Sequence, residues 1–156
     1  DAVKSFYMKR NLLLLVVLSS LFTGCSKILT SAEDKLIGSW ILLYAEKKRP
    51  FEKKTITTGY EEGTFYFYEN GEAVYDDGID LLQGNWQLRR EDRGYYDADG
   101  NYHPESQQVF SIHLVDFQSN RVLDWYFDDC YFTNRDRFTA QYESYSYRYR
   151  YVFAKQ

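Results

Sequence analysis

The final stretch, Tyr145-Ser146-Tyr147-Arg148-Tyr149-Arg150-Tyr151-Val152-Phe153, places an aromatic ring at every second position and a mostly polar or basic residue between. A period of two sends rings to one face of an extended strand and guanidinium groups to the other. Helical spacing would scatter the same rings around the axis, so this segment folds as a strand or not at all. The rest of the chain reads alike. Trp40 to Ala45 is an apolar run, and Thr64 to Glu69 leads through Asn70-Gly71, a two-residue hairpin signal, to Ala73-Val74-Tyr75. Gly84 to Arg89 alternates, Val109 to Phe117 turns at Ser119-Asn120 into Val122 to Phe127, and strands over 136–143 and 145–154 follow. No later segment carries a 3.6-residue apolar repeat. Only 31–37 reads as helix, with Ser31 as N-cap and Asp34 three residues on.

These segments predict an all-β fold: eight antiparallel strands in an up-and-down barrel, preceded by a short helix. Closure would leave no exposed edge strand. The stretches 46–60 and Gly94 to Pro104 read as long connections. The fold needs no disulfide, since Cys25 and Cys130 are the two cysteines and Cys25 has another assignment.

That assignment comes from the N-terminal segment. Met8-Lys9-Arg10 precede the apolar run Leu12 to Phe22, which ends in Thr23-Gly24-Cys25. The run is short for a membrane span and has the charged, apolar and small-residue regions of a secretory signal. A cysteine directly after it resembles the lipobox of bacterial lipoproteins, with Phe22 where that family prefers Leu. The resemblance implies a signal peptide over 1–24 (residues 1–7 preceding Met8), lipidation of Cys25, a tether and helix over 25–35, and one domain over 36–156. It also implies a lipid-anchored place in the cell envelope, with Ser26 favouring the outer membrane. Loss of Lys4, Lys9 and Arg10 with Asp1 makes the mature domain two charges more acidic than the −4 of the whole chain. Such a domain repels phosphate backbones, so nucleic acid is not expected as a partner and membrane attachment falls to the lipid.

Leu36-Ile37-Gly38-Ser39-Trp40 sets a G-x-W at the entrance to the first strand. With Phe65-Tyr66-Phe67, Gly84-Asn85-Trp86 and the closing Tyr151 to Lys155, it resembles the lipocalins and the lipocalin-like lipoproteins of Bacteroidota. The resemblance implies a barrel closed at one end by Gly38, Trp40 and a cation over the indole, for which Lys155 is the candidate. It suggests a pocket but names no ligand; the alternation of the last strand, with Tyr147 and Tyr149 facing inward beside Phe65, Phe67, Trp86 and Trp125, would line that interior with aromatic walls suited to a small hydrophobic or amphipathic ligand. A filled interior is the alternative, since eight strands enclose little more than their own side chains. The function would then be that of a protein-interaction or inhibitor-like module using 46–60 and 91–106.

Catalytic and metal signals are thin. Asp97-Ala98-Asp99-Gly100-Asn101 suggests calcium, but an EF-hand loop starting there would need Gly and Glu where Tyr102 and Gln108 stand, and a turn explains it better. His103 and His113 are the two histidines, and Cys130 reads as a lone thiol rather than a nucleophile. The expectation is therefore a non-enzymatic protein without cofactor or metal.

Overall fold

The computed structural model of the chain describes residues 31–156. The signal peptide over 1–24 and the lipidation site Cys25 lie outside the described residues. Ser31 caps the helix α1 (Ala32–Leu36): its Oγ accepts from the Asp34 N–H at 3.1 Å, and the Asp34 carboxylate accepts from the Ser31 N–H at 2.8 Å. This reciprocal capping fixes a helix too short to form unaided.

Ten strands follow: β1 (Gly38–Arg49), β2 (Glu52–Ile56), β3 (Thr64–Phe67), β4 (Glu72–Asp76), β5 (Leu81–Tyr96), β6 (Tyr102–Val115), β7 (Val122–Phe127), β8 (Asp129–Asn134), β9 (Arg137–Ser144) and β10 (Tyr147–Lys155). They form one antiparallel sheet in the order β7-β6-β5-β4-β3-β1-β10-β9-β8, with β2 added to β1. The expected count of eight strands is corrected to ten, and the expected closed barrel to an open, curled sheet. Its ladder stops at β7 on one edge and β8 on the other, yet only Asp128 separates these two strands in sequence. The chain pairs first with β6 and then, past Asp128, with β9.

Three segments account for the differences: two add the strands β2 and β8, and one lengthens β5 and β6. The polar stretch 94–104 continues the β5–β6 ladder as far as Tyr96 and Tyr102, and only Asp97–Asn101 turns. Most of this ribbon is solvent-exposed on both faces, so it has no apolar alternation to betray it. The connection 46–60 contains the end of β1 and all of β2. Asp128-Asp129, read as a turn, is the point where the chain changes partners and β8 begins.

Strand β1 gives one edge to β10 along most of its length. It divides the other edge, pairing Gly38–Ile41 with β3 and Ala45–Arg49 with β2. A bulge at Leu43 bends the strand between these halves. Gly84 on β5 is required by close backbone approach: a Cβ there would lie 2.0 Å from the His113 carbonyl oxygen on β6.

The core lies inside the curl, and aromatic rings supply its largest side chains. Trp40, Phe65, Phe67, Tyr75, Phe110, Phe127, Phe138 and Phe153 are fully buried. Phe138 stacks on Phe153 at 4.5 Å and meets Trp40 edge-on at 4.8 Å, a geometry favoured by the ring quadrupoles. The Trp40 Nε1–H donates to the Leu36 carbonyl at 2.7 Å, tying β1 to α1. Trp40→Ala should therefore lower stability by about 3–5 kcal/mol, read as the midpoint shift in urea unfolding; a variant that unfolds with the parent would refute the packing described.

Candidate functional site

Three regions bear on function: the interior, its two ends, and the outer surface around the β1–β2 hairpin. In the interior, Phe65 and Phe67 are buried side by side on β3, with Trp125 5.8 Å from Phe65 and Trp86 5.6 Å from Phe67. The space between these rings is occupied by Phe110, Phe127, Phe138, Tyr151 and Phe153. Phe110 on β6 reaches Phe138 on β9 at 5.8 Å, and Trp125 on β7 reaches Tyr151 on β10 at 5.1 Å, so facing walls touch. Burial pushes the Tyr151 phenol well above its ordinary pKa.

Tyr147 and Tyr149 share the face of β10 that carries Tyr151 and Phe153, but they stand progressively further out of the core. Tyr149 stacks on Tyr142 at 4.7 Å, and Lys47 covers Tyr147 at 3.7 Å. The structure thus gathers Phe65, Phe67, Trp86 and Trp125 in the core and leaves Tyr147 and Tyr149 at its rim. Among the described residues, four open clefts of roughly 350–510 Å³ lie on the outside. Of the six residues expected to line a ligand, Tyr147 alone borders one of these four.

Both ends of the interior are covered. At one end Lys155 Nζ lies 5.5 Å from the Trp40 ring, and Gly38, at φ 128°, leaves room for the lysine stem. At the other, the β2–β3 loop turns Tyr60 inward against Tyr75 at 5.0 Å and Trp125 at 5.3 Å. Arg121 crosses Tyr60 at 4.7 Å, donates to the Gly59 carbonyl at 3.1 Å and pairs with Asp80. Burial, reinforced by the Asp77 charge, pushes the Tyr75 phenol up to about 12. Sequence reasoning missed Tyr60, which sits alone between Gly59 and Glu61 without any period.

It also missed Glu46. This carboxylate is on the outer face of β1, yet only 1% of its side chain is exposed. Lys53 reaches it at 2.7 Å, Lys48 at 3.0 Å and Arg150 at 3.3 Å. Burial alone would raise its pKa, but the hydrogen bonds from Lys53, Lys48 and Arg150 prevail and hold it at about 2. The cations Lys47, Lys48, Arg49, Lys53, Lys54, Arg148 and Arg150 thus crowd one end of an acidic chain, with Glu46, Glu52 and Glu143 among them. The basic run around Pro50-Phe51 was the available signal.

At the tips of this end, Phe51 has φ 70° and Tyr145 φ 55°, conformations that favour glycine and cost other residues about 1–2 kcal/mol. Both rings stand wholly in solvent. An open cleft of about 350 Å³ separates the two hairpins and is lined by Lys48, Arg49, Pro50, Glu143, Tyr145, Ser146, Tyr147 and Arg148.

The remaining candidates are dispersed. Cys130 is buried, its thiol pKa pushed up by burial and by Asp129. His113 is at the surface, 3.5 Å from Asp124. Asp97 organises its turn, accepting from the Asn101 N–H at 2.8 Å and contacting His103 Nε2 at 2.7 Å. Among the described residues, no group of three or more His, Cys, Asp or Glu is placed to hold a metal ion, and no helix is long and apolar enough to cross a membrane.

The depressed Glu46 pKa carries a pH dependence. Its contribution to stability is complete above its ordinary value of 4.5 and is lost as pH falls toward 2. Glu46→Gln should lower stability at neutral pH by about 1–3 kcal/mol and flatten the acid limb of the stability curve in that window, measured by urea unfolding at stepped pH. Comparison with family models, curated proteins and solved structures finds no match to this chain.

Proposed function

We propose that this chain is a lipid-anchored envelope protein whose lipocalin-like domain acts as a non-catalytic binding module through its outer surface. On this reading Cys25 carries the lipid, 1–24 is removed as a signal peptide, and the outer membrane holds the mature protein. The N-terminal sequence supports these steps. The domain keeps the lipocalin-like entrance, with a helix followed by a G-x-W strand and a cation over the indole, although its ladder stays open.

The observation that carries the module reading over the ligand carrier is the occupied interior. A carrier needs a concave apolar space that buries most of a small molecule. Here aromatic rings from facing walls meet at 5–6 Å, and Tyr60 and Trp40 cover the two ends. Opening a cavity of ligand size would mean displacing several of these rings, at about 1.5–3 kcal/mol each in lost burial. What the molecule offers a partner instead lies outside, in the exposed tyrosines of the β5–β6 ribbon and in the basic end around the β1–β2 hairpin.

Two measurements test this. Native mass spectrometry of the purified protein should give the mass of the polypeptide and its anchor alone; a stoichiometric small molecule released only on unfolding would restore the carrier reading. Labelling with a radioactive fatty acid should mark the parent protein and leave Cys25→Ser unmarked and uncleaved. Equal labelling of both would remove the anchor.

A further inference from the structure

We infer that the end of the domain formed by the β1–β2 and β9–β10 hairpins docks on an anionic phospholipid surface, with Phe51 and Tyr145 entering the headgroup layer. The inference rests on the reading that the domain works through its outside, and names the surface that one end meets.

Phe51 is 109% exposed and Tyr145 106%, so neither ring contributes to the core. Each occupies the tip of a two-residue hairpin turn at a positive φ where glycine would be easier. Folding therefore gains little from either ring. At Gly71, Gly78 and Gly100 the chain does place glycine at such angles, and at Asn120 an asparagine, which tolerates them through its short polar side chain; Phe51 and Tyr145 are bulky rings with no such advantage.

Ladder register sets the two tips level. Lys53, Lys48, Arg148 and Glu143 form one row across β2, β1, β10 and β9. Phe51 lies three residues beyond Lys48 and two before Lys53. Tyr145 lies three before Arg148 and two after Glu143. The tips thus project equally past a row that is mainly cationic, and Arg49 and Lys54 lie within one position of that row on the same hairpin. A peptide or glycan would be gripped in the cleft between the hairpins, where Phe51 is absent from the lining. A plane meets both prongs and the basic row at once. Aromatic rings favour the headgroup layer, and each nearby cation adds its attraction to an anionic leaflet.

The opposite charge makes the match selective. The whole chain carries −4, so an anionic surface repels most of the domain and attracts this end. The helix α1 lies at the far end of β1, about 36 Å away along the strand. With Cys25 lipidated, prong and anchor together would lay the strands along the bilayer instead of upright.

The full-length chain bearing Phe51→Trp gives the test. It is mixed with vesicles of phosphatidylcholine alone or with added phosphatidylglycerol, both also made with brominated acyl chains. The parent protein supplies the background from its three buried or half-buried tryptophans. The added emission should shift to the blue and be quenched by bromine with phosphatidylglycerol only. Lys53→Ala with Lys54→Ala should weaken that response by about tenfold or more, and high salt should reverse it. Emission that stays at its aqueous wavelength on anionic vesicles, or responds equally to neutral ones, overturns the proposal. So does a response to soluble poly-glutamate with none to vesicles, which would assign this end to an acidic protein. Phe51→Gly should keep the parent's circular dichroism and melting temperature while losing affinity for the anionic vesicles; a loss of fold would mean that the ring is structural and would overturn the docking role. A small molecule found in the interior would end the module reading yet leave the vesicle response of the Phe51→Trp chain standing.

Discussion

Phe110 on β6 and Phe138 on β9 meet edge to face across the interior, and Phe138 in turn stacks on Phe153 and abuts Trp40. The first of these contacts joins β6 and β9, strands that share no hydrogen bonds. The sheet could lie open, since its ladder has two free edges, β7 and β8. Curling buries one aromatic face completely, and each ring that would otherwise face water adds about 1.5–3 kcal/mol to the closed form. Asp128 supplies the covalent complement by joining those edges directly, so the curl is set by packing on one side and by chain connection on the other.

The same packing decides between pocket and core. Every strand that borders the interior contributes large side chains, and the ends are finished by separate devices: Trp40 with α1 and Lys155 at one, Tyr60 beneath Arg121 at the other. The phenols there stay protonated through neutral pH, because burial opposes the phenolate at Tyr75 and Tyr151. Polarity is instead displaced outward, onto a face where Glu46 is buried by its own counter-ions.

What the sequence reveals follows from where apolar contrast exists. The strict alternation of 145–153 marked β10, although the turn takes Tyr145 itself. Asn70-Gly71 marked the β3–β4 hairpin, and Ser31 with Asp34 marked α1. The β5–β6 ribbon and β2 are polar on both sides, so backbone pairing alone makes them strands and no side-chain period records it. Asp129 to Asn134 carries alternation too brief to separate from the preceding turn. Phe65, Phe67, Trp86 and Trp125 were legible as inward rings, whereas Tyr60 and Glu46 were not: one reaches the core from a loop, and the other is buried by cations from neighbouring strands. Gly38 was legible as part of a motif, but its positive φ and its contact with the Lys155 stem were not.

The pairing of β1 with β10 has a consequence for how the molecule comes into being. Trp40 and Lys155 are ladder partners although they stand at opposite ends of the described chain. Such distant pairings make folding slow, because loop closure must precede the contacts that reward it. A growing chain would hold β1 with one side unpaired until its last residues emerge, and Phe138 would wait for Phe153. Completion of β10 supplies the missing neighbour of both β1 and β9 in a single step, so a nascent chain halted before Tyr147 would present two bare strand edges to any other copy nearby.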